Sequence, residues 1–190
     1  MKRLSMFFTL FMSLLLMPQC MKAQRQSLTV FADYTYAKQF DQFHGFNAGV
    51  AYNLEILPFF SISPEAALDW RGGHKNFNSG HQWQTDLSLR ALASVRIPGQ
   101  KLNLFTGPVM DVLLFHGNDY RGYSELIGGL DTRHVYNTIT AYWQFGLRLD
   151  FSKICLRTSY SLPMSNYVHI NSHSKLHLFE FGIGYKFAIK

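Results

Sequence analysis

Cysteine, charge and long apolar runs are all scarce in this sequence of 190 residues. Two cysteines, Cys20 and Cys155, are too few for a disulfide framework or a cysteine-rich metal site. Charged residues make up 16%, which is too little for a disordered chain and low for a soluble globular protein. Beyond residue 24 no segment approaches 18 consecutive apolar residues, so a transmembrane helix is excluded there. The length allows one domain of ordinary size.

The first 24 residues have the pattern of a secretory signal peptide. Lys2 and Arg3 precede an apolar stretch over 7–17 that is too short to span a bilayer as a helix, and Ala23 offers a small residue for cleavage. A lipoprotein signal would use Cys20, but the bulky Gln19 precedes it, which disfavours lipidation. Removal of residues 1–24 lowers the net charge from +6 to +3, which argues against a nucleic-acid partner. It also leaves Cys155 without an internal disulfide partner.

Strict alternation of apolar and polar residues recurs along the rest of the chain. Val30, Ala32 and Tyr34 share one face of the first such segment, while Thr29 and Asp33 share the other. This period of two is typical of strands with one apolar face. Eight segments show it: 28–36, 46–56, 60–71, 83–97, 102–114, 139–150, 154–162 and 179–187. Most are about twice as long as a soluble strand and long enough to cross a bilayer when tilted.

The connections between these segments alternate in length. Those over 57–58, 98–101 and 152–153 are short, whereas those over 38–43, 72–82, 116–137 and 163–175 are longer. A soluble β-sandwich also alternates along its strands, but short periplasmic turns and long extracellular loops are typical of outer-membrane barrels. We therefore predict an eight-stranded antiparallel up-and-down transmembrane β-barrel over 25–190, following a signal peptide over 1–24.

Aromatic residues fall near both ends of the apolar face. With the first strand running outward, six lie near the outer rim: Tyr36, Phe46, Trp70, Trp83, Tyr160 and Phe179. Three lie near the inner rim: Phe60, Phe151 and Phe187. Aromatic girdles at both membrane interfaces are expected of a barrel that faces lipid.

The sequence resembles the small outer-membrane β-barrel family of Bacteroidota, often labelled porin-like. The residues that carry the resemblance are 60–65 (FSISPE), 70–73 (WRGG), 106–108 (TGP) and 181–187 (FGIGYKF). The resemblance covers nearly all of the chain after the signal. It implies an outer membrane of a Gram-negative bacterium, contact with its lipid and lipopolysaccharide, and insertion by the barrel-assembly machinery. A role beside a secretion or surface-assembly machine is also compatible with it.

The polar face of the predicted strands carries charges of both signs. Its acids are Asp33, Glu55, Glu65, Asp69, Asp86, Asp111, Asp150 and Glu180. Its bases are Arg71, Arg90, Arg96, Arg148, Arg157 and Lys186. Because eight strands leave an interior that side chains just fill, we expect these groups to form an ion-paired plug. A narrow ion path or proton relay along the same charges is the alternative, whereas an open diffusion pore needs more strands.

The third outer loop, over 116–137, is the candidate partner site, because loops of this length are usually functional or disordered. It contains residue types that dominate protein contacts: Tyr120, Arg121, Tyr123, Arg133 and Tyr136. We therefore predict a structural or surface-interaction protein that is not an enzyme and has no cofactor.

The residues at the outer end raise two other kinds of chemistry. Eight histidines map there, which raises metal or haem binding, but no pair has a metal-helix spacing: His44, His74, His81, His116, His134, His169, His173 and His177. A lipid A-modifying enzyme would place a Ser, a His and an acid at the outer leaflet. The nearest candidates are His169, Asn171 and Glu180, and Asn171 stands where a deacylase motif has Ser. No metal site and no catalytic residue is predicted.

Overall fold

The computed structural model describes residues 26–38, 42–74, 81–118, 138–165 and 175–189. Eight strands account for nearly all of them: β1 (Gln26–Lys38), β2 (Gln42–Leu57), β3 (Phe60–His74), β4 (His81–Arg96), β5 (Leu102–Asn118), β6 (Ile139–Phe151), β7 (Ile154–Pro163) and β8 (His177–Ile189). Among these residues no helix is long and apolar enough to cross a bilayer. The predicted signal peptide, 1–24, lies outside the described residues.

The strands form a closed antiparallel barrel in which each pairs with its neighbour in sequence and β1 closes against β8. Thirteen residue pairs, from Gln26↔Ile189 to Lys38↔His177, join β1 to β8, so the closure is as continuous as any internal pairing. The predicted fold class is therefore confirmed. A closed barrel leaves no sheet edge with unpaired backbone groups.

The two ends of the barrel differ. Three connections meet at one end, over 58–59, 97–101 and 152–153, together with Gln26 and Ile189. We call this the turn end. The opposite loop end carries the connections over 39–41, 75–80, 119–138 and 164–176. Gly99 and Ser152, within two of the turns, have positive φ angles of 74° and 39°.

The strands reach further toward the loop end than the sequence pattern predicted. The predicted boundaries of the connections over 38–43 and 72–82 are wrong, because Lys38 pairs with Gln42 and His74 pairs with His81. The first two loops are consequently short. Backbone hydrogen bonds do not require apolar side chains, so pairing continues past the point where the alternation fades.

Candidate functional site

Alternation of side chains sorts the barrel into an apolar outside and a polar inside. Along β8 every second residue from Leu178 to Gly184 is buried, while Phe179, Phe181, Ile183 and Tyr185 are exposed. The other strands follow the same rule, and the buried set is dominated by polar and charged residues. The candidate site is therefore the interior, which we describe from its middle toward its ends.

Glu180 on β8 is the centre of the middle group. Arg90, on β4 across the bore, donates two hydrogen bonds to its carboxylate, at 3.1 Å from Nη1 and 2.7 Å from Nη2. Asn47, Gln144 and Ser159 donate three more, at 2.7, 2.6 and 2.8 Å. Both charges are almost fully buried. Five strands (β2, β4, β6, β7 and β8) are thus tied to one carboxylate.

Arg157 on β7 is the second cation of the middle group. Its Nη1 lies 3.0 Å from the Glu65 carboxylate, and its Nε lies 3.4 Å from that of Asp33. The guanidinium also lies 4.4 Å from the ring centre of Phe31 and 5.6 Å from that of Phe105. A buried arginine is stabilised by such ring faces as well as by carboxylates. The middle of the bore is therefore filled by two arginines, three acids and two aromatic rings.

The group nearest the loop end gathers three acids around one base. Arg71 pairs with Asp86, with Asp111 at 2.9 Å and with Asp69 at 3.4 Å. Gln84 donates to Asp86 at 2.6 Å. All of these side chains are buried. Because Asp69, Asp86 and Asp111 lie on β3, β4 and β5, the single guanidinium links three adjacent strands.

The group at the turn end has the opposite balance of charge. Arg148 and Lys186 both pair with Asp150, and Arg96 pairs with Glu55 at 3.2 Å. These ions are more exposed than those of the middle, most of all Arg96 at 41%. The interior is therefore richer in acids toward the loop end and richer in bases toward the turn end.

Each of the fourteen charged residues predicted to face the interior has at least one ion-pair partner there. The structure brings them together as three groups rather than as one continuous chain. The middle and loop-end groups together place buried side chains from every strand in the bore.

Sequence reasoning missed the inward aromatic residues Phe31, Phe105 and Tyr142, which are all buried. The signal was available, because each stands between two outward residues. Tyr142 belongs to an apolar cap over the loop end of the bore, formed with Ala37, Val109, Leu176 and Leu178. Leu176, which directly precedes β8, is buried in this cap.

Inward glycines provide the room that the large interior side chains need. A Cβ atom on Gly182 would lie 1.9 Å from the Asp33 carboxylate, and one on Gly146 would lie 2.2 Å from the Phe105 ring. A Cβ on Gly45 would meet the backbone oxygen of Trp70 at 2.0 Å and the Arg71 side chain at 3.0 Å. Small and large residues therefore alternate around the bore, as small barrels require.

The predicted partner site lies outside the described residues. Tyr120, Arg121, Tyr123, Arg133 and Tyr136 all fall within 119–137. His169 and Asn171 lie in another such segment, and of the eight histidines only the side chains of His44 and His177 are described. Within the described part of the chain no group of three or more His, Cys, Asp or Glu residues could hold a metal ion.

No protein-family model matches the sequence, and no curated protein matches it. Solved structures do match. The chain superposes on the neisserial surface protein A, NspA, with a TM-score of 0.52 and 9% identity over 86% of this chain and 97% of that one. It superposes on Ail, the attachment invasion locus protein of Yersinia pestis, with a TM-score of 0.50 and 14% identity over 86% of this chain and 99% of that one. At these identities the likeness shows a shared barrel fold.

Proposed function

We propose that this protein resides in the outer membrane of a Gram-negative bacterium, as a structural or surface-interaction barrel of the small Bacteroidota type. The observation that carries the proposal is the inverted distribution of polarity: ion pairs fill the interior, and large apolar side chains cover the outside. Phe46 and Phe181 are each more than 60% exposed. A soluble protein rarely exposes a continuous apolar belt of this kind, whereas lipid stabilises it.

Aromatic residues at both ends of the belt support this placement. Phe46, Trp70, Trp83 and Phe179 are exposed toward the loop end, and Phe151 and Phe187 are exposed toward the turn end. Such rings favour the two membrane–water interfaces. The loop end then faces the outside of the cell, and the turn end faces the periplasm.

The filled bore favours a structural role over conduction. Arg90 and Arg157 cross the middle of the interior to carboxylates on other strands, and Leu176 and Leu178 help to cap the loop end. An ion that passed through would have to break buried ion pairs and enter an apolar constriction. We therefore assign the charged interior to stabilising the barrel and fixing its register.

The position of Glu180 weighs against the lipid A-modifying alternative. A catalytic acid at the outer leaflet must reach the lipid face, but the Glu180 carboxylate is turned into the bore and accepts hydrogen bonds from Arg90, Gln144 and Ser159. Glu180, the acid closest in sequence to His169, therefore faces the interior and not the lipid.

The proposed contact surface is formed by the outer loops, above all 116–137. Its partners would be lipopolysaccharide, a surface or secretion-system protein, and the assembly machinery during insertion. The test is photo-crosslinking in living cells from p-benzoylphenylalanine placed at Tyr123, with mass spectrometry of the adducts. The matched control places the same probe at Gln100, which is exposed at the turn end.

One dominant protein adduct from position 123 that is missing from position 100 is the expected result. Adducts no different from background at both positions would overturn surface interaction and leave a structural barrel. Adducts dominated by lipopolysaccharide at position 123 would instead favour action on lipid.

A further inference from the structure

Two histidines project from the outer surface at the loop end, and each is hydrogen-bonded to a tyrosine. His44 on β2 bonds through Nδ1 to the Tyr34 hydroxyl, and its ring centre lies 5.3 Å from that of Tyr36. His177 on β8 bonds through Nδ1 to the Tyr160 hydroxyl at 2.7 Å, with the two rings stacked at 5.9 Å. We call these residues, with the exposed Lys175, the histidine rim.

The hydrogen bonds orient the two imidazole rings. A phenol is a stronger acid than a neutral imidazole N–H, so the tyrosine hydroxyl donates and Nδ1 accepts. In a neutral ring the single N–H proton is then on Nε2. A protonated ring carries a proton on both nitrogens, so Nε2 is a donor in that state as well. His44 and His177 therefore each present an N–H donor from Nε2, away from the tyrosine.

The rim lies on a surface whose other described side chains are uncharged. On the outward faces of β7, β8, β1 and β2, the described side chains include no Asp, Glu, Lys or Arg. Among the described side chains on these faces, the two imidazoles are the groups that can carry positive charge, and Lys175 adds an ammonium two residues before His177. An anion is thus the complementary partner.

The apolar surface below the rim indicates that the anion belongs to a lipid. Phe46 and Phe179 follow the two histidines by two residues on the same outward faces, and Phe181 continues the β8 face toward the turn end. Tyr160 packs against Phe179 with ring centres 4.6 Å apart. A molecule with a charged headgroup at the rim would lay its acyl chains along these rings.

The register sets the distance between the two histidines. His44 is opposite Tyr36 and His177 is opposite Lys38, so the histidines flank β1 with an offset of two residues. Two strand spacings and two residue rises place their Cα atoms about 12 Å apart. That separation suits one headgroup at each histidine.

We propose that the histidine rim binds the phosphomonoester headgroups of outer-leaflet lipids, one at Nε2 of His44 and one at Nε2 of His177 together with the ammonium of Lys175. A phosphomonoester offers up to two negative charges and three acceptor oxygens, which match N–H and ammonium donors. This inference rests on the proposed membrane residence, because only a barrel in lipid brings headgroups to this level.

The test uses the mature protein folded in detergent micelles and native mass spectrometry with three lipids of equal chain length. Phosphatidic acid carries a phosphomonoester, phosphatidylcholine a phosphodiester, and diacylglycerol no phosphate. The variant His44→Phe/His177→Phe keeps an aromatic rim and removes the donors. The matched control, Trp70→Phe/Trp83→Phe, changes two rim aromatics on β3 and β4 and leaves the histidines in place.

We expect phosphatidic acid to bind the wild-type protein and the tryptophan control alike, and the histidine variant about tenfold more weakly. Phosphatidylcholine and diacylglycerol should not distinguish the three proteins. Equal binding of phosphatidic acid to all three proteins would overturn the phosphate site.

Insertion into phosphatidylcholine vesicles, measured separately by tryptophan fluorescence, distinguishes a failure of the rim site from a failure of the proposed function. If the protein inserts but the histidine variant binds phosphatidic acid like the wild type, only the rim site is wrong. If the wild-type protein does not insert into vesicles, the proposed function fails and the rim site fails with it.

Discussion

Glu180 and Arg90 illustrate how a charge is accommodated inside an eight-stranded barrel. Removing two ions from water is expensive, and their attraction offsets that loss only when the remaining lone pairs and protons also find partners. Glu180 meets this condition through Asn47, Gln144 and Ser159. Glu55 and Arg96, near the turn end, form the same kind of pair where water still reaches both groups.

The substitution Glu180→Gln should therefore destabilise the barrel far more than Glu55→Gln. The first leaves Arg90 buried without its counter-charge, at about 3 kcal/mol. The second loosens an exposed pair and should change the free energy of unfolding by less than about 1 kcal/mol. Urea unfolding from phosphatidylcholine vesicles, followed by tryptophan fluorescence, measures both. Equal losses for the two variants would contradict the contrast between buried and exposed pairs.

At the scale of the element, the tight turns decide how neighbouring strands align. The β6–β7 connection has two residues, and Ser152 adopts a positive φ of 39° within it. L-residues rarely adopt this left-handed conformation, whereas glycine adopts it without steric penalty. Phe151 and Ile154 pair directly across the connection, so two residues reverse the chain.

Ser152→Gly should raise the free energy of unfolding by about 0.5–1 kcal/mol, because glycine removes the strain at this φ. Ser152→Val should lower it by about 1–2 kcal/mol, since a β-branched residue tolerates positive φ least. The midpoint of urea unfolding in vesicles ranks the three proteins. An order in which valine is as stable as glycine would show that the turn relaxes to a negative φ.

At the scale of the whole molecule, the distribution of polarity is the reverse of that in a soluble protein, because charged side chains lie inside and apolar side chains lie outside. The loop-end group around Arg71, the middle group around Arg90 and Arg157, and the apolar cap together occupy the bore. The middle group joins strands on opposite sides of the barrel, and the loop-end group joins adjacent strands.

The wild-type protein should insert into planar bilayers without producing steps of ionic current. Buried ion pairs across the bore and the apolar cap that includes Leu176, Leu178 and Tyr142 oppose the passage of an ion. Arg90→Ala, which shortens the side chain that crosses the middle, is the comparison variant. Discrete conductance steps in the wild type that change size in Arg90→Ala would establish a channel and refute the plug.

Much of the fold could be predicted because alternation acts locally. The parity of Asp33, Glu65 or Arg157 within its own strand decides whether it faces the bore, and no distant residue is needed for that decision. The strand boundaries at Lys38 and His74 were predicted less well, because backbone pairing at the loop end depends on the neighbouring strand. The rings of Phe31 and Phe105 face inward by the same parity, but an apolar residue at an inward position breaks the alternation of apolar and polar residues.

The sequence by itself determined which charged residues face inward, how many strands there are and where the three tight turns lie, because each follows from a period of two and from turn chemistry. Only the tertiary structure decided which acid meets which base: Arg90 pairs with Glu180, 90 residues away in sequence, and Arg157 with Glu65, 92 away. Those partners are set by the closure of β1 on β8 and by the stagger of eight registers. The histidine rim also depends on this closure, because β1 pairs with both β2 and β8 and so places His44 and His177 on either side of itself.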